Sequence, residues 1–242
     1  MNNINLYLSG EYTKKNHSYH SEDSRFKWKN FAKILKKSNL NLNAVNSIVD
    51  VGCGGGQVVV QAKNSSLFNS QCIFEGYDIN PDAISIAKKE PSKVSFVNED
   101  FINCKEVKRD LIIAADVFEH IQDTYNFLAK LKDKGNFFLF NIPLEISLLS
   151  MVRKKNIFRH SYDNVGHLHF YTKRTALLTL ENIGFKILNY NLVNNRFEEL
   201  KNKKKITSLL ISIPQFLVEK FSQNLACSIF GGYSMVVLAK KN

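Results

Sequence analysis

The chain has only four cysteines, Cys53, Cys72, Cys104 and Cys227, and no two of them form a C-x-x-C pair. That spacing excludes a disulfide framework and the usual zinc-ligand pattern, and it points to a reducing cytoplasm. The first residues, among them Glu11, Asn16 and His17, lack the charged-then-apolar order of a secretory signal. No apolar run reaches the ~20 residues needed to cross a bilayer. The most apolar late stretch, ITSLLISIPQFLV, carries Pro214 and reads as an amphipathic helix or hairpin, which leaves peripheral membrane contact open. Internal repeats and low-complexity segments are also missing, apart from Lys and Asn enrichment near 194–205 that reads as an exposed loop. Acids are scarce relative to bases, 22 against 33, for a formal charge of +11, with basic clusters at Arg153-Lys154-Lys155 and from Lys201 to Lys205. The balance suits an anionic partner such as a phosphorylated metabolite, a nucleic acid or a membrane surface, although a solvated lysine-rich surface accounts for it as well.

The 242 residues, 44% apolar, suffice for one substantial core, and a single domain over 1–242 is expected, with an N-terminal helical cap (1–45) and a variable insertion (197–230). Phe26, Phe31, Ile34 and Leu35 recur at helical spacing ahead of a first strand, SIVDVG. A helix from about Gly55 should follow. CIFEGYD then reads as strand, PDAISIAKKE as helix with Pro81 in its first turn, and KVSFVNED as strand. DLIIAAD is the nearly all-apolar run of a central strand covered on both faces; DTYNFLAKLKD is a helix and GNFFLFNIP a strand. TALLTLENIG reads as a further helix, and FKILNYNLV and YSMVVLAK as closing strands around a helical insertion. The expected fold is α/β: a doubly wound, mostly parallel, seven-stranded Rossmann-like sheet, with its ligand beyond the strands' C-terminal ends.

The segment IVDVGCGGGQ, Ile48 to Gln57, places four glycines in five positions where the first strand turns into a helix. Glycine there permits positive φ and clears Cβ atoms from the path of a ligand. The dinucleotide fingerprint G-x-G-x-x-G fits imperfectly, because its third glycine would fall on Gln57; D-x-G-x-G-x-G fits fully with Asp50, Gly52, Gly54 and Gly56. Asp78, about 20 residues on, suits a ribose diol of any nucleoside cofactor.

Together VDVGCGGGQ, YDIN, VNEDF and DVFEHI fall in the order and spacing of the class I S-adenosylmethionine-dependent methyltransferases, which the chain resembles over residues 20 to 190. The resemblance implies that Gly52, Gly54 and Gly56 contact the methionine part of the cofactor. It further implies that Asp78, with Ile79, binds the ribose, that Asp100, with Phe101, binds the adenine, and that Asp50 and Asp116 belong to the same cofactor site. DVFEH, NIPLE and GHLHFYT are similar to bacterial ubiquinone-pathway O-methyltransferases and to methyltransferases of surface-polysaccharide clusters.

A sulfonium methyl is already activated, so a protein mainly aligns the reactants, while a hydroxyl acceptor also needs a base. His120 and His167 are the candidates, because histidine suits that task near neutral pH. His169, flanked by Leu168 and Phe170, reads as structural. A second arrangement follows from the likeness of D-x-x-E-H to the small-RNA 2'-O-methyltransferases. There Asp116, Glu119, His120 and His167 would hold magnesium or manganese, which is the less favoured alternative. On the first helix, Lys27 could meet the cofactor carboxylate and Tyr19 could line the entrance, with packing and surface roles for Trp28 and Lys27 as the alternative. The implied function is O-methylation of a small or glycan-linked, sugar or phosphorylated acceptor in surface-polysaccharide synthesis. The alternatives are a nucleic-acid methyltransferase and a non-catalytic cofactor binder. An aromatic-basic RNA module and an N-P-P-Y-type signature are both missing, which disfavours nucleic acid.

Overall fold

The computed structural model describes residues 21–105, 107–153, 157–196 and 206–242. Tyr19, Lys154, Lys155 and the Lys201 to Lys205 cluster lie outside the described residues. Helix α1 (Ser21–Lys36) precedes β1 (Ser47–Val51), α2 (Gln57–Lys63), β2 (Ile73–Tyr77), α3 (Pro81–Ala87) and β3 (Ser95–Val97). Then come β4 (Arg109–Ala115), α4 (Thr124–Lys132), β5 (Gly135–Leu144), α5 (Leu148–Val152) and α6 (Ile157–Asn164). The chain closes with α7 (Lys173–Ile183), β6 (Phe185–Asn194), α8 (Ile206–Phe221), α9 (Gln223–Phe230) and β7 (Tyr233–Lys241).

The seven strands form one sheet in the order β3-β2-β1-β4-β5-β7-β6, parallel except for β7, which runs antiparallel to both neighbours. The chain therefore winds outward from β1 to β3, returns to β4 and continues the other way. That reversal opens a crevice at the C-terminal ends of β1 and β4. Both faces are covered, as the apolar run of β4 demands. Ile112 and Ala114 join a cluster with Leu128 of α4, Leu180 of α7 and Ala226 of α9. Leu111 and Ile113 join another with Phe31 of α1, Val59 of α2 and Ile84 of α3. The alternation follows from the two-residue repeat of a strand. Phe185 braces the first cluster with edge-on contacts to Phe138 and Phe140, at centroid distances of 4.8 and 5.4 Å.

Local chemistry sets several boundaries. Asn80 accepts from the Asp82 amide and Pro81 occupies the first turn of α3, while Asp123 caps α4 by accepting from Asn126 N. Strand β5 runs on through Pro143, paired with Ser234 of β7. On its other side β4 has already ended, its last pairing being Ala115 with Asn141, so the missing proline N–H costs no ladder bond there. β3 is shorter than KVSFVNED suggested. The ITSLLISIPQFLV segment lies within one helix, α8, that continues through Pro214, and Ser222 caps α9 immediately after it, so the hairpin alternative is overturned. The helical insertion thus packs as a pair of helices directly before β7.

Candidate active site

Beyond β1 the chain turns through Gly52, Gly54 and Gly56 at φ of 69°, 54° and 81°. The amides of Gly52 and Cys53 both donate to Tyr77 O, at 2.8 and 3.0 Å, which ties the loop to the end of β2. Gly54 N donates to Asp78 Oδ2 at 2.8 Å, and Asn80 N donates to Asp78 Oδ1 at 2.8 Å. The Asp78 carboxylate is thereby fixed in orientation before any ligand arrives. Burial pushes its pKa up, against the opposing pull of those two backbone bonds.

The glycines serve different ends. A Cβ on Gly52 would come within 2.8 Å of Val117 Cγ2, and one on Gly56 within 2.4 Å of Phe96 Cε1. Gly52 and Gly54 line a cavity of about 830 Å³, whereas Gly56 lies outside its lining and packs beneath the loop. Gly56 was expected at the cofactor; what requires glycine there is Phe96 and a left-handed backbone.

Asp50, Asp78, Ile79, Asp100, Phe101, Asp116, His120 and His167 all line that same cavity. Asp100 caps a short 3-10 turn by accepting from Ile102 N, and Phe101 packs edge-on against Tyr77 at 5.1 Å. Asp50 is only 2% exposed, and burial raises its pKa to about 8, a rise that the nearby Lys27 charge opposes and the Asp78 charge assists.

The sequence left Lys27 between a partner of the cofactor carboxylate and a surface residue. Instead its Nζ lies 2.7 Å from Asp116 Oδ2, and Asn141 Nδ2 donates to Asp116 Oδ1 at 2.6 Å. Burial alone would raise Asp116, but the Lys27 charge and these two bonds hold its carboxyl below the usual range. Asp116 is also the single described non-glycine residue at positive φ, 56°, a strained conformation that the double anchorage sustains. Trp28 is core packing, 6.3 Å from the Phe68 ring centroid.

Across the cavity, His120 and His167 meet edge-on with ring centroids 4.6 Å apart. His167 Nδ1 lies 2.7 Å from Glu145 Oε2, and Ser161 Oγ donates to Glu145 Oε1 at 2.5 Å. An ionised carboxylate only accepts, so the Nδ1 hydrogen of His167 points at Glu145 and Nε2 is left as the basic nitrogen. His120 Nδ1 donates to Gly166 O at 3.1 Å. Beneath them Glu119 is fully buried, and neither of its carboxyl oxygens has a hydrogen-bond partner. Burial first, then the Asp116 charge, drives its pKa well above normal. Ligand atoms of Glu119, His120 and His167 all lie within 4.8 Å of one another. Asp116, the fourth residue of the metal alternative, is outside this cluster and is engaged by Lys27 and Asn141. His169 lies off the cavity with Nε2 bonded to Ile121 O at 2.9 Å.

Glu145 and Ser161 escaped sequence reasoning. Glu145 ends NIPLE just past β5, and no spacing rule joins it to a histidine 22 residues later.

A family model described as a methyltransferase domain matches residues 19–190. Comparison with curated protein sequences gives no match. Among solved structures, the chain is similar to magnesium protoporphyrin IX methyltransferase from Synechocystis PCC 6803 with bound S-adenosylhomocysteine (TM-score 0.57, 13% identity, 95% of this chain and 86% of that one). It is similar to the plantazolicin methyltransferase in complex with S-adenosylhomocysteine (TM-score 0.61, 15% identity, 99% and 96%). A phosphoethanolamine N-methyltransferase of Haemonchus contortus, with phosphomonomethylethanolamine and S-adenosylhomocysteine, is also similar (TM-score 0.59, 16% identity, 88% and 52%). The match over residues 19–190, more than two thirds of the sequence, shows that the chain belongs to the methyltransferase domain family, and it is an S-adenosylmethionine-dependent enzyme of that fold.

Proposed function

We propose that the enzyme O-methylates a small or glycan-linked hydroxyl acceptor, a sugar or phosphorylated group of surface-polysaccharide synthesis, in the cytoplasm. The observation that carries the O-methyl reading is His167 at the cavity wall beside His120, backed by the Glu145–Ser161 chain. The cavity, about 830 Å³, suits a nucleoside cofactor together with part of an acceptor. Asp78, already oriented by Gly54 and Asn80, suits a ribose diol, and Asp100 suits an exocyclic amine.

When bound, the cofactor supplies a methyl group on a cationic sulfur that leaves as a neutral thioether. The chain's own residues then have three tasks. Asp50, Asp78 and Asp100 bind and orient the donor. The buried walls exclude water, which would otherwise compete for the methyl group. His167 Nε2 takes the acceptor's proton while Glu145 steadies the imidazolium, and His120 shapes the same corner.

His120→Ala and His167→Ala should each leave S-adenosylhomocysteine affinity intact by calorimetry. Each should lower turnover on the order of 100- to 10,000-fold, measured as label transferred from S-adenosylmethionine to sugar and sugar-phosphate acceptors. Normal turnover in both variants would end the base reading. The Lys27–Asp116 pair lines the same cavity.

One observation favours a second reading of the same corner. Glu119 is buried, without a partner, and near two histidines, the donor set of a magnesium or manganese site. Glu119, His120 and His167 would hold the ion, which would polarise the acceptor oxygen and lower its pKa. Chelation should then abolish turnover and added metal restore it, whereas the histidine base alone is indifferent to chelator.

A further inference from the structure

Helix α8 leaves an apolar stripe in solvent from Ile213 onward. At 3.6 residues per turn, Ser212, Gln215 and Glu219 share one face, and Ile213, Leu217 and Phe221 share the opposite one, with Phe216 at its edge. The inward side mixes polar and apolar residues: Val218 packs against the core, Ser212 and Gln215 are buried, Gln215 Nε2 donates to Gly231 O at 3.2 Å, and Glu219 Oε2 accepts from Asn194 Nδ2 at 2.8 Å. The apolar face meets solvent, with Ile213 62%, Leu217 54% and Phe221 91% exposed. A contiguous exposed apolar stripe marks a surface that something else covers.

We infer that this stripe seats the enzyme on an anionic lipid membrane surface. Lys220 lies on the same face, its Nζ 4.7 Å from the Phe216 ring centroid, so a cation borders the apolar residues as in helices that lie at a lipid interface. The formal charge of +11 favours a negatively charged surface. The same charge opposes pairing of two copies through this face, which would bring both Lys220 side chains and two strongly basic chains together. No helix of the described residues is long and apolar enough to cross a membrane, so α8 lies in the interface plane.

Flotation of the full chain with vesicles tests this. The wild type should partition onto vesicles of phosphatidylglycerol and phosphatidylcholine, less onto phosphatidylcholine alone, and less as salt rises. Leu217→Ser with Phe221→Ser should lower partitioning at least about tenfold, with S-adenosylhomocysteine affinity and melting temperature unchanged. Lys220→Glu, a surface charge change that spares the apolar stripe, should weaken partitioning onto the anionic vesicles selectively. Absence of wild-type binding to anionic vesicles would overturn the inference, as would binding that neither variant alters. A dimer in solution that the serine variant dissolves, without vesicle binding, would assign the stripe to a second copy and overturn it too.

Discussion

Asp50 is the residue whose protonation the fold perturbs in a measurable window. Burial raises its pKa from 3.8 to about 8, so the folded chain holds a proton that the unfolded chain releases above about pH 4. The sign follows from that difference. Between about pH 4 and about pH 8 the unfolded state binds fewer protons, so this group's contribution to stability falls as pH rises and levels off above pH 8. Asp50→Asn removes the penalty, and in chemical denaturation its stability relative to wild type should grow across that interval. A difference constant with pH would show that Asp50 is not protonated in the fold. Glu145 supports a second expectation. Glu145→Gln can keep a bond to His167 Nδ1 while losing the charge, so turnover should fall on the order of 100-fold with the pH–rate profile displaced and acceptor KM nearly unchanged. Glu145→Asp should recover part of the rate. A profile that keeps its shape in the glutamine variant would reduce Glu145 to a packing role.

The glycine turn after β1 shows how one element divides its labour. Gly56→Ala puts a Cβ 2.4 Å from Phe96 and a side chain on a left-handed backbone, so the variant should lose about 1–3 kcal/mol or more of stability in urea titration. Phe96→Leu in the same chain should restore the steric part and leave the backbone part. An unaltered midpoint in Gly56→Ala would contradict the packing assignment. Elements of this kind were legible in the sequence as far as periodicity reaches. The β4 run and the α3 start at Pro81 announced themselves by pattern, whereas the Asn80 and Asp123 caps emerged only in the structure. Spacing pointed to a nucleoside site at Asp50, Gly52, Gly54 and Asp78, and the methyltransferase resemblance added Asp100. What pattern could not give is contact between distant segments. The Lys27–Asp116 pair joins α1 to the end of β4, the Glu145–His167 bond joins the end of β5 to a loop, and Gly56 meets Phe96 of β3. The inward polar residues of α8 were hidden for the same reason, since Gln215 and Glu219 find partners at Gly231 and Asn194, outside the helix.

For the whole molecule, a doubly wound sheet reverses its strand order beside β1, and the acids at the ends of β1, β2 and β3 converge on one cavity. The +11 charge sets a separate expectation: RNA should bind weakly and lose affinity steeply with salt, as nonspecific phosphate contact does. Sequence-selective RNA binding at physiological salt would redirect the acceptor assignment. The convergence of Asp50, Asp78 and Asp100 on a single nucleoside site is the central claim, and isothermal titration tests it most directly. S-adenosylhomocysteine should bind the wild type one to one, NAD should give no heat, and Asp78→Ala should weaken S-adenosylhomocysteine roughly 10- to 100-fold, since each charge-assisted bond contributes about 1.5–3 kcal/mol. Tight NAD binding, or S-adenosylhomocysteine affinity unchanged in Asp78→Ala, would contradict it.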